Sequence, residues 1–198
     1  MKMNFRIKSL MVASIIGLSA LTIECTKREA KNTRNDLAFD VNEKLLGDSY
    51  LDSISNMTLR VPIGWKDSDY NSDDTLKAKV SLLRHNSNSK KLYLDSLQKA
   101  SLIVSYFNNP DGLNQIFANP DSAFNATKDW VSIDKSQFIL NGQETFQFLL
   151  QNKNVINFKL LIRSSNTILQ LDYFVDRAQY MYEVKKIESS IGSIRQLK

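Results

Sequence analysis

The apolar and polar positions of this 198-residue chain divide it into an apolar start, a polar stretch and a long region of periodic segments. Late in that region, alternating apolar and polar residues form four runs separated by short turn sequences: 131–140, 143–150, 155–163 and 167–175. The first turn is Asn141-Gly142, which is the strongest short-range signal of a β-hairpin. The pattern predicts an antiparallel meander of four strands.

The same alternation predicts that the meander has one apolar side. Apolar residues occupy every second position in three of the strands: Phe146, Phe148 and Leu150; Ile156, Phe158, Leu160 and Ile162; Leu169, Leu171, Tyr173 and Val175. The polar residues between them are expected on the opposite side: Gln147, Lys159, Gln170 and Asp172. An apolar side of this size needs a covering layer, because a sheet is stable only when its apolar face is buried.

Further strands are predicted earlier in the chain. Two short runs at 50–54 and 57–61 flank Ser55-Asn56 and indicate a hairpin, which Pro62 ends because proline cannot donate to a strand ladder. The continuous apolar run at 102–107 (LIVSYF) is typical of a strand buried on both faces.

The helical signals are more varied. Residues 73–85 have helical apolar spacing but also fit a strand, and 86–90 indicates a loop. Asn-Pro at 109–110 and at 119–120 indicates two short helix starts. A last helix is predicted after Asp176, as N-cap, with Gln179 as its reciprocal partner. Its apolar stripe is expected to cover the meander, and binding of a partner helix is the alternative: Val184, Ile187, Ile191 and Ile194.

The start of the chain resembles a bacterial lipoprotein signal. Three basic residues precede the apolar run 9–23, which is too short to span a bilayer and typical of a secretory leader. The only cysteine of the chain, Cys25, follows that run directly after Glu24. We predict a signal peptide over 1–24 and a lipid anchor on Cys25. The alternative is an ordinary signal peptide or an uncleaved anchor, because Glu24 stands where such signals usually carry a small residue.

The polar stretch up to residue 42 predicts a flexible tether, 25–42, followed by a single domain over 43–198. Basic residues of the tether could attract anionic headgroups, but a solvated spacer is the favoured explanation, because Glu29 and Asp36 offset part of the charge. Removing the leader, which has three bases and one acid, lowers the net charge from +5 to +3. That charge gives little support for nucleic-acid binding. With one cysteine, the domain is expected to be held together by packing alone.

The residues Val61-Pro62-Ile63-Gly64-Trp65 leave an early strand and resemble the VPxGW signature of the PsbP-like family. The later order is also similar, with a buried strand, a helical insert, an antiparallel run and a last helix ending in Ile-x-x-Ser-Ile. The resemblance implies an α+β fold, an α/β/α sandwich around an antiparallel sheet. It implies no functional residue, and it makes Trp65 a structural plug at the end of the sandwich.

Candidate chemistry is sparse. His85, the only histidine, lies at a predicted loop edge and is expected to be an exposed surface residue rather than a catalytic base. Residues 67–74 (DSDYNSDD) supply oxygen ligands at calcium-loop spacing but lack the required glycine and glutamate, so a solvated turn is favoured over a weak cation site. No phosphate-binding or nucleophile motif occurs. We expect no metal and no cofactor, and a hydrolase using carboxylates alone is a remote alternative.

Two surfaces are candidates for binding. Aromatic residues could line a pocket, although aromatics at such positions are more often core: Tyr106, Phe107, Trp130, Tyr173, Tyr180 and Tyr182. The side of the sheet without a helix is the first candidate for an interacting surface: Gln147, Lys159, Arg163, Gln170 and Asp172.

The sequence therefore predicts a lipid-anchored, non-enzymatic α+β domain of the bacterial cell envelope. Its expected role is that of an interaction or assembly module beside a membrane complex, with the membrane and an envelope protein as partners. The alternative is a carrier of a small hydrophobic ligand in the sandwich interior. Thr26, in place of the aspartate associated with inner-membrane retention, favours the outer membrane.

Overall fold

The computed structural model describes residues 39–68, 88–107, 115, 117–119, 130–165 and 167–197, with the backbone alone for 88–90. Ten strands and one longer helix lie within these residues. The strands are β1 Leu46–Asp52, β2 Met57–Pro62, β3 Lys66–Ser68, β4 Asn88–Leu94, β5 Ala100–Phe107, β6 Val131–Leu140, β7 Gln143–Gln151, β8 Val155–Arg163, β9 Ile168–Asp176 and β10 Arg195–Gln196. The helix α1 spans Tyr180–Gly192, and 3-10 turns occupy Glu43–Leu45 and Arg177–Gln179.

Seven strands form one antiparallel sheet in the order β3-β4-β5-β9-β8-β7-β6. The predicted meander is confirmed: β6 to β9 pair in sequence order, and β5 joins β9. Asn141 and Gly142 both have positive φ, 50° and 87°, as a two-residue hairpin turn requires. The all-buried strand at 102–107 is also confirmed, because every residue of β5 is buried.

A second, three-stranded sheet in the order β1-β2-β10 contains the predicted early hairpin, and Pro62 is the last residue of β2. Together with α1 it covers one side of the large sheet, which we call the helix face. The core there joins β2 and α1 to the three central strands β5, β8 and β9: Met57, Leu59, Val61, Leu102, Val104, Leu160, Leu171, Tyr173, Ile187 and Ile191. The helix thus covers the sheet, as the sequence indicated.

The prediction of a single apolar side is wrong. Phe146, Phe148 and Leu150 pair directly with Leu161, Lys159 and Asn157, so they lie on the side opposite to α1. There they belong to a second buried cluster, which defines the second face: Leu92, Ile103, Phe107, Phe117, Trp130, Phe146, Phe148, Leu150, Val155, Leu161, Ile168 and Phe174. The sheet is therefore buried on both sides, as in a three-layer sandwich.

The beginning of the last helix also differs from the prediction. Asp176 makes no capping hydrogen bond with its side chain, and Gln179 takes the N-cap position without one. The 3-10 turn at 177–179 moves the start of α1 past Asp176, so the predicted capping box cannot form. Ile194 packs in the core as predicted but lies beyond the end of the helix.

Residues 39–42, which fall within the predicted tether, pack on the domain. The ring of Phe39 lies 5.9 Å from that of Phe138, and the backbone N–H of Asn42 donates to Ser189 Oγ at 3.2 Å. Gly192 allows this approach, because a Cβ there would come within 2.7 Å of Phe39 and Val41. The segment thus covers the outer side of the last turns of α1.

Candidate functional site

The polar residues predicted on the open side of the sheet are mostly buried within the second face. Lys159 is 0% exposed, Gln170 3% and Asp172 4%. Lys159 Nζ lies 2.8 Å from Asp172 Oδ1, and the Asp172 carboxylate also accepts from Gln170 Nε2 and, at 3.4 Å, from Asn157 Nδ2. These side chains form a compensated ion pair. The prediction that they form an interacting surface is wrong, because aromatic and aliphatic side chains of the second face enclose them.

The two remaining members of that predicted set are only partly buried. Gln147 pairs with Leu160 and is therefore on the helix face. Arg163, at the end of β8, places its guanidinium 4.1 Å from the ring centre of Phe117 and 3.0 Å from Glu144 Oε2. Arg163 thus packs against the second face rather than offering a free cation to a partner.

The candidate aromatic residues do not converge on a pocket. Tyr106 and Tyr173 lie in the core of the helix face, Phe107 and Trp130 in that of the second face, and Tyr182 is 74% exposed. Within the described residues, one hollow of about 20 Å³ lies among residues of β4, β5, β8 and β9 near the start of α1. It has room for about one water molecule, far below the roughly 300 Å³ of a typical ligand pocket.

A buried hydrogen-bond network fixes the β1–β2 hairpin to the sheet. Asp52 accepts from the hydroxyl of Tyr106 in β5, from Ser55 Oγ and, at 2.7 Å, from the Ser55 backbone N–H. The Tyr50 hydroxyl lies 3.2 Å from that of Tyr106, and Ser164 Oγ donates to the Ser55 carbonyl at 2.8 Å. Several donors converge on one carboxylate, so the buried charge is well compensated.

Burial raises the pKa of the tyrosines around this network. Burial and then the hydrogen bond to Asp52 raise the pKa of Tyr106 far above its ordinary value. Burial also raises the pKa of Tyr50. Burial, assisted by the charge of Asp67, raises the pKa of Tyr93 to about 12. The hydroxyls of Tyr50 and Tyr106 therefore stay neutral and act as hydrogen-bonding groups in the network.

Exposed apolar side chains gather where this hairpin turns, at a surface we call the hairpin end. Leu51 is 59% exposed, Ile54 48% and Leu197 38%. Leu197 joins the turn through its backbone N–H, which donates to the Asn56 carbonyl at 2.9 Å, and Asn56 Nδ2 returns a bond to the Leu197 carbonyl at 3.1 Å. The network of Asp52 lies directly beneath. The hairpin end is thus an apolar surface on a rigid support, which favours binding because little order is lost.

The motif at 61–65 has a structural role in the described fold. Gly64 has φ +81°, which a residue with a side chain rarely adopts, and this turn directs Trp65 into the core. The indole Nε1 of Trp65 donates to Glu183 Oε2 at 3.2 Å in the first turn of α1. The predicted role of Trp65 as a plug is consistent with this contact.

Several predicted features lie outside the described residues: Cys25 and the leader, His85, the helix or strand at 73–85 and most of the insert after 109. Of the acidic loop, Asp67 is described and forms an ion pair with Lys91. Among the described residues, no group of His, Cys, Asp and Glu side chains has the geometry of a metal site. Within the same residues, no helix combines the length and apolarity needed to cross a bilayer.

No protein-family model and no curated protein matches the sequence. Among solved structures, the chain is similar to the cyanobacterial PsbP protein CyanoP of Synechocystis sp. PCC 6803, with 12% identity, 77% of this chain and 94% of that chain covered and a TM-score of 0.51. It is also similar to the Ran-binding protein Mog1p of Saccharomyces cerevisiae, with 13% identity, coverage of 76% and 96% and a TM-score of 0.43. A third is LpqN of Mycobacterium tuberculosis, involved in cell envelope biogenesis, with 14% identity, coverage of 75% and 84% and a TM-score of 0.40.

The likeness to CyanoP and the antiparallel sheet with its C-terminal helix confirm the predicted α+β, PsbP-like fold. At 12% identity this likeness concerns the fold alone. The exposed surfaces of this chain must therefore supply the argument for function.

Proposed function

We propose that this chain is a lipid-anchored, non-enzymatic interaction module of the bacterial envelope, and that it docks an envelope protein beside a membrane complex through its hairpin end. The observation that carries the proposal is the group of exposed apolar side chains, Leu51, Ile54 and Leu197, above the buried network of Asp52. Exposed apolar groups that lie together mark interaction sites on soluble proteins, and a rigid support reduces the conformational entropy lost on binding.

The membrane attachment rests on the sequence. The basic and apolar leader followed by the single Cys25 supports cleavage after Glu24 and acylation, and Thr26 favours the outer membrane. Mass spectrometry of the chain purified from envelopes should show residues 1–24 removed and lipid on the sulfur. In the same measurement, Cys25→Ser should abolish the lipid modification. An unmodified thiol on a membrane-bound chain would refute the anchor.

The docking role is tested by photo-crosslinking in intact envelopes. A crosslinking amino acid at position 51 or 54 should yield the same protein adduct, whereas one at exposed Glu188, on the outer side of α1, should not. Leu51→Asp should abolish the adduct formed from position 54 without changing the melting temperature, because the side chain is exposed. Equal labelling from all three positions, or no reproducible protein adduct from 51 and 54, would contradict the proposal.

The alternative function, a carrier of a small hydrophobic ligand, has no supporting observation among the described residues. The hollow of about 20 Å³ lies at the rim of the sheet, and the interior positions on both faces are filled by side chains. The compensated pair of Lys159 and Asp172 likewise gives no ligand an unpartnered charge to bind.

A further inference from the structure

A second group of exposed apolar residues lies at the opposite end of the sheet, where α1 begins. Two backbone hydrogen bonds and one side-chain hydrogen bond bring four segments together there. The N–H of Asp176 donates to the Lys99 carbonyl, and that of Arg177 to the Asn154 carbonyl, both at 2.9 Å. The bond from Trp65 to Glu183 adds the turn after β2. We call this surface the helix-start end; it comprises 62–66, 95–99, 152–154 and 176–185.

Four large apolar side chains are exposed on this surface: Ile63 at 47%, Leu97 at 64%, Met181 at 78% and Tyr182 at 74%. They occupy turn tips and the first turn of a helix rather than the walls of a cleft. The surface of a soluble protein tolerates single exposed apolar residues, but a group of them on adjoining elements indicates contact with another protein or with a membrane.

The turn that carries Leu97 is firmly held. The carboxylate of Asp95 accepts from the backbone N–H groups of Leu97, Lys99 and Ala100 at 3.2, 2.6 and 2.7 Å. Gln98 has φ +56°, which is uncommon for a residue other than glycine or asparagine. The chain therefore accepts local strain in a turn whose tip presents a leucine to solvent, and strain of this kind is concentrated at functional positions.

The charge of this end is positive. Five exposed cations there have no ion pair among the described residues: Lys66, Lys99, Lys153, Arg177 and Lys185. The nearby acids are mostly engaged, since Asp67 pairs with Lys91, Asp95 binds its own turn and Glu183 pairs with Lys186 at 2.7 Å. Asp176 is half-buried. An anionic partner is therefore favoured.

The shape of this end selects among anionic partners. An extended peptide would need a groove or a free strand edge at this end. Among the described residues, the hollow holds about 20 Å³ and the edge strand β3 has three residues. The longer edge strand β6 is separated from β5 and β9 by β7 and β8, so its free edge lies away from the turn at 95–99 and the start of α1. A broad planar partner fits several projecting turn tips at once. Apolar and aromatic side chains surrounded by lysine and arginine are typical of surfaces that lie at the headgroup level of a bilayer.

We propose that the helix-start end lies on an anionic lipid bilayer, with Leu97, Met181 and Tyr182 at the boundary of headgroups and acyl chains and the five cations on the lipid phosphates. This contact is separate from the hairpin end and does not depend on a protein partner. It leaves the hairpin end directed away from the membrane.

Chain length permits this orientation together with an anchor on Cys25. The first described residue, Phe39, packs near the last turns of α1, on the side of the hairpin end. The segment from Cys25 to Phe39 reaches at most about 50 Å, whereas strands of nine residues extend about 30 Å. The anchor and the helix-start end can therefore occupy the same bilayer.

A fluorescent reporter of lipid contact tests the proposal. The full chain carrying Cys25→Ser and Leu97→Cys is labelled at position 97 with an environment-sensitive dye and added to vesicles. Vesicles of phosphatidylglycerol and phosphatidylethanolamine should shift the emission to the blue and allow quenching by brominated lipids, and vesicles of phosphatidylcholine should not. The matched control carries the label through Ser53→Cys at the hairpin end and should show neither effect. No shift at 97, or an equal shift at 53, would overturn the proposal.

The electrostatic part has its own test. With the label at 97, Lys153→Glu should raise the lipid concentration needed for half-saturation about tenfold, because the change removes one favourable charge and adds an unfavourable one. Lys44→Glu, an identical change at an exposed lysine outside this end, should change it less than twofold. Circular dichroism of both variants should match the parent. If both variants weakened lipid binding equally, the binding would depend on net charge alone, and a specific surface would be refuted.

A label at position 97 that is shielded in envelopes but not on pure lipid vesicles would show that this end binds a protein instead of lipid.

Discussion

Trp65 donates its indole N–H to the buried carboxylate of Glu183 over 3.2 Å, and Lys186 lies 2.7 Å from the other oxygen of that carboxylate. The bond connects the turn after β2 to the first turn of α1. Gly64, with φ +81°, makes the turn tight enough for the indole to reach the helix. The turn of the VPxGW-like motif is thus what holds the N-terminal part of the covering helix on the sheet.

Trp65→Phe should lower the free energy of unfolding by about 2–3 kcal/mol, because Glu183 stays buried without one of its donors and the smaller ring leaves a cavity. Trp130→Phe is a matched control. Trp130 is similarly buried, but its Nε1 has no hydrogen-bond partner among the described residues, so the same change should cost about 1 kcal/mol or less. Urea unfolding of both variants measures the difference. Equal losses would mean that the indole N–H contributes nothing.

The pair of Lys159 and Asp172 should show strong coupling. Lys159→Met or Asp172→Asn alone leaves one buried charge without its partner and should cost about 3–5 kcal/mol. The double variant leaves no buried charge and retains a polar acceptor for Gln170, so it should lie within about 2 kcal/mol of the parent. A double-mutant cycle from urea unfolding gives the coupling energy. Additive losses in the double variant would contradict a direct interaction.

Much of the sheet could be predicted from local pattern. Strand alternation and the Asn141-Gly142 turn define β6 to β9, because both signals act within a few residues. The pattern does not predict that Phe146 and Phe148 of β7 pair with Leu161 and Lys159 of β8 and so lie on the second face. That depends on the register between β7 and β8, and on covering residues that come from distant parts of the chain.

The candidate surfaces were less accessible to prediction. Lys159 and Asp172 look like solvated residues in an alternating strand, and only the second apolar layer buries them. Leu97 lies far in sequence from Met181 and Tyr182, and a backbone hydrogen bond between Asp176 and Lys99 brings their two segments together. A leucine within an otherwise polar turn, as in DSLQK at 95–99, can be recognised in the sequence. Whether it belongs to an interaction surface depends on the side chains around it in the fold, which the sequence does not show.

Alkaline pH should destabilise the fold through its tyrosines. Burial raises the pKa of Tyr50, Tyr106 and Tyr173, and raises that of Tyr93 to about 12. Above pH 10 the unfolded chain loses these protons and the folded chain keeps them, so each tyrosine lowers stability by about 1.4 kcal/mol per pH unit, up to its folded pKa. Below pH 10 this stability is fully present.

Absorbance at 295 nm measures this effect directly. The four shifted tyrosines, of seven in the chain, should ionise together with loss of the circular dichroism signal rather than near pH 10. Tyr93→Phe should make the decline of stability between pH 10 and 12 shallower. Ionisation of all seven in one phase near pH 10, with the fold intact, would contradict the burial of these four tyrosines.

Gly192→Ala should displace the segment 39–42 from the domain. The added Cβ would lie 2.7 Å from Phe39 Cβ and Val41 Cγ2, which is closer than van der Waals contact allows. Such overpacking costs about 1–3 kcal/mol, and the better helix propensity of alanine offsets only about 0.5–1 kcal/mol of it. Limited proteolysis should then cut within 39–42, where the parent resists cleavage.

The background variant Phe39→Gly with Val41→Ala removes the atoms that the new Cβ would meet. In that background Gly192→Ala should be neutral or stabilising by up to about 1 kcal/mol, since only the helix propensity remains. This reversal of sign separates a steric contact from a general effect on α1. An equal loss in both backgrounds would show that Gly192 is needed by the helix end itself, and that residues 39–42 belong functionally to the tether rather than to the folded domain.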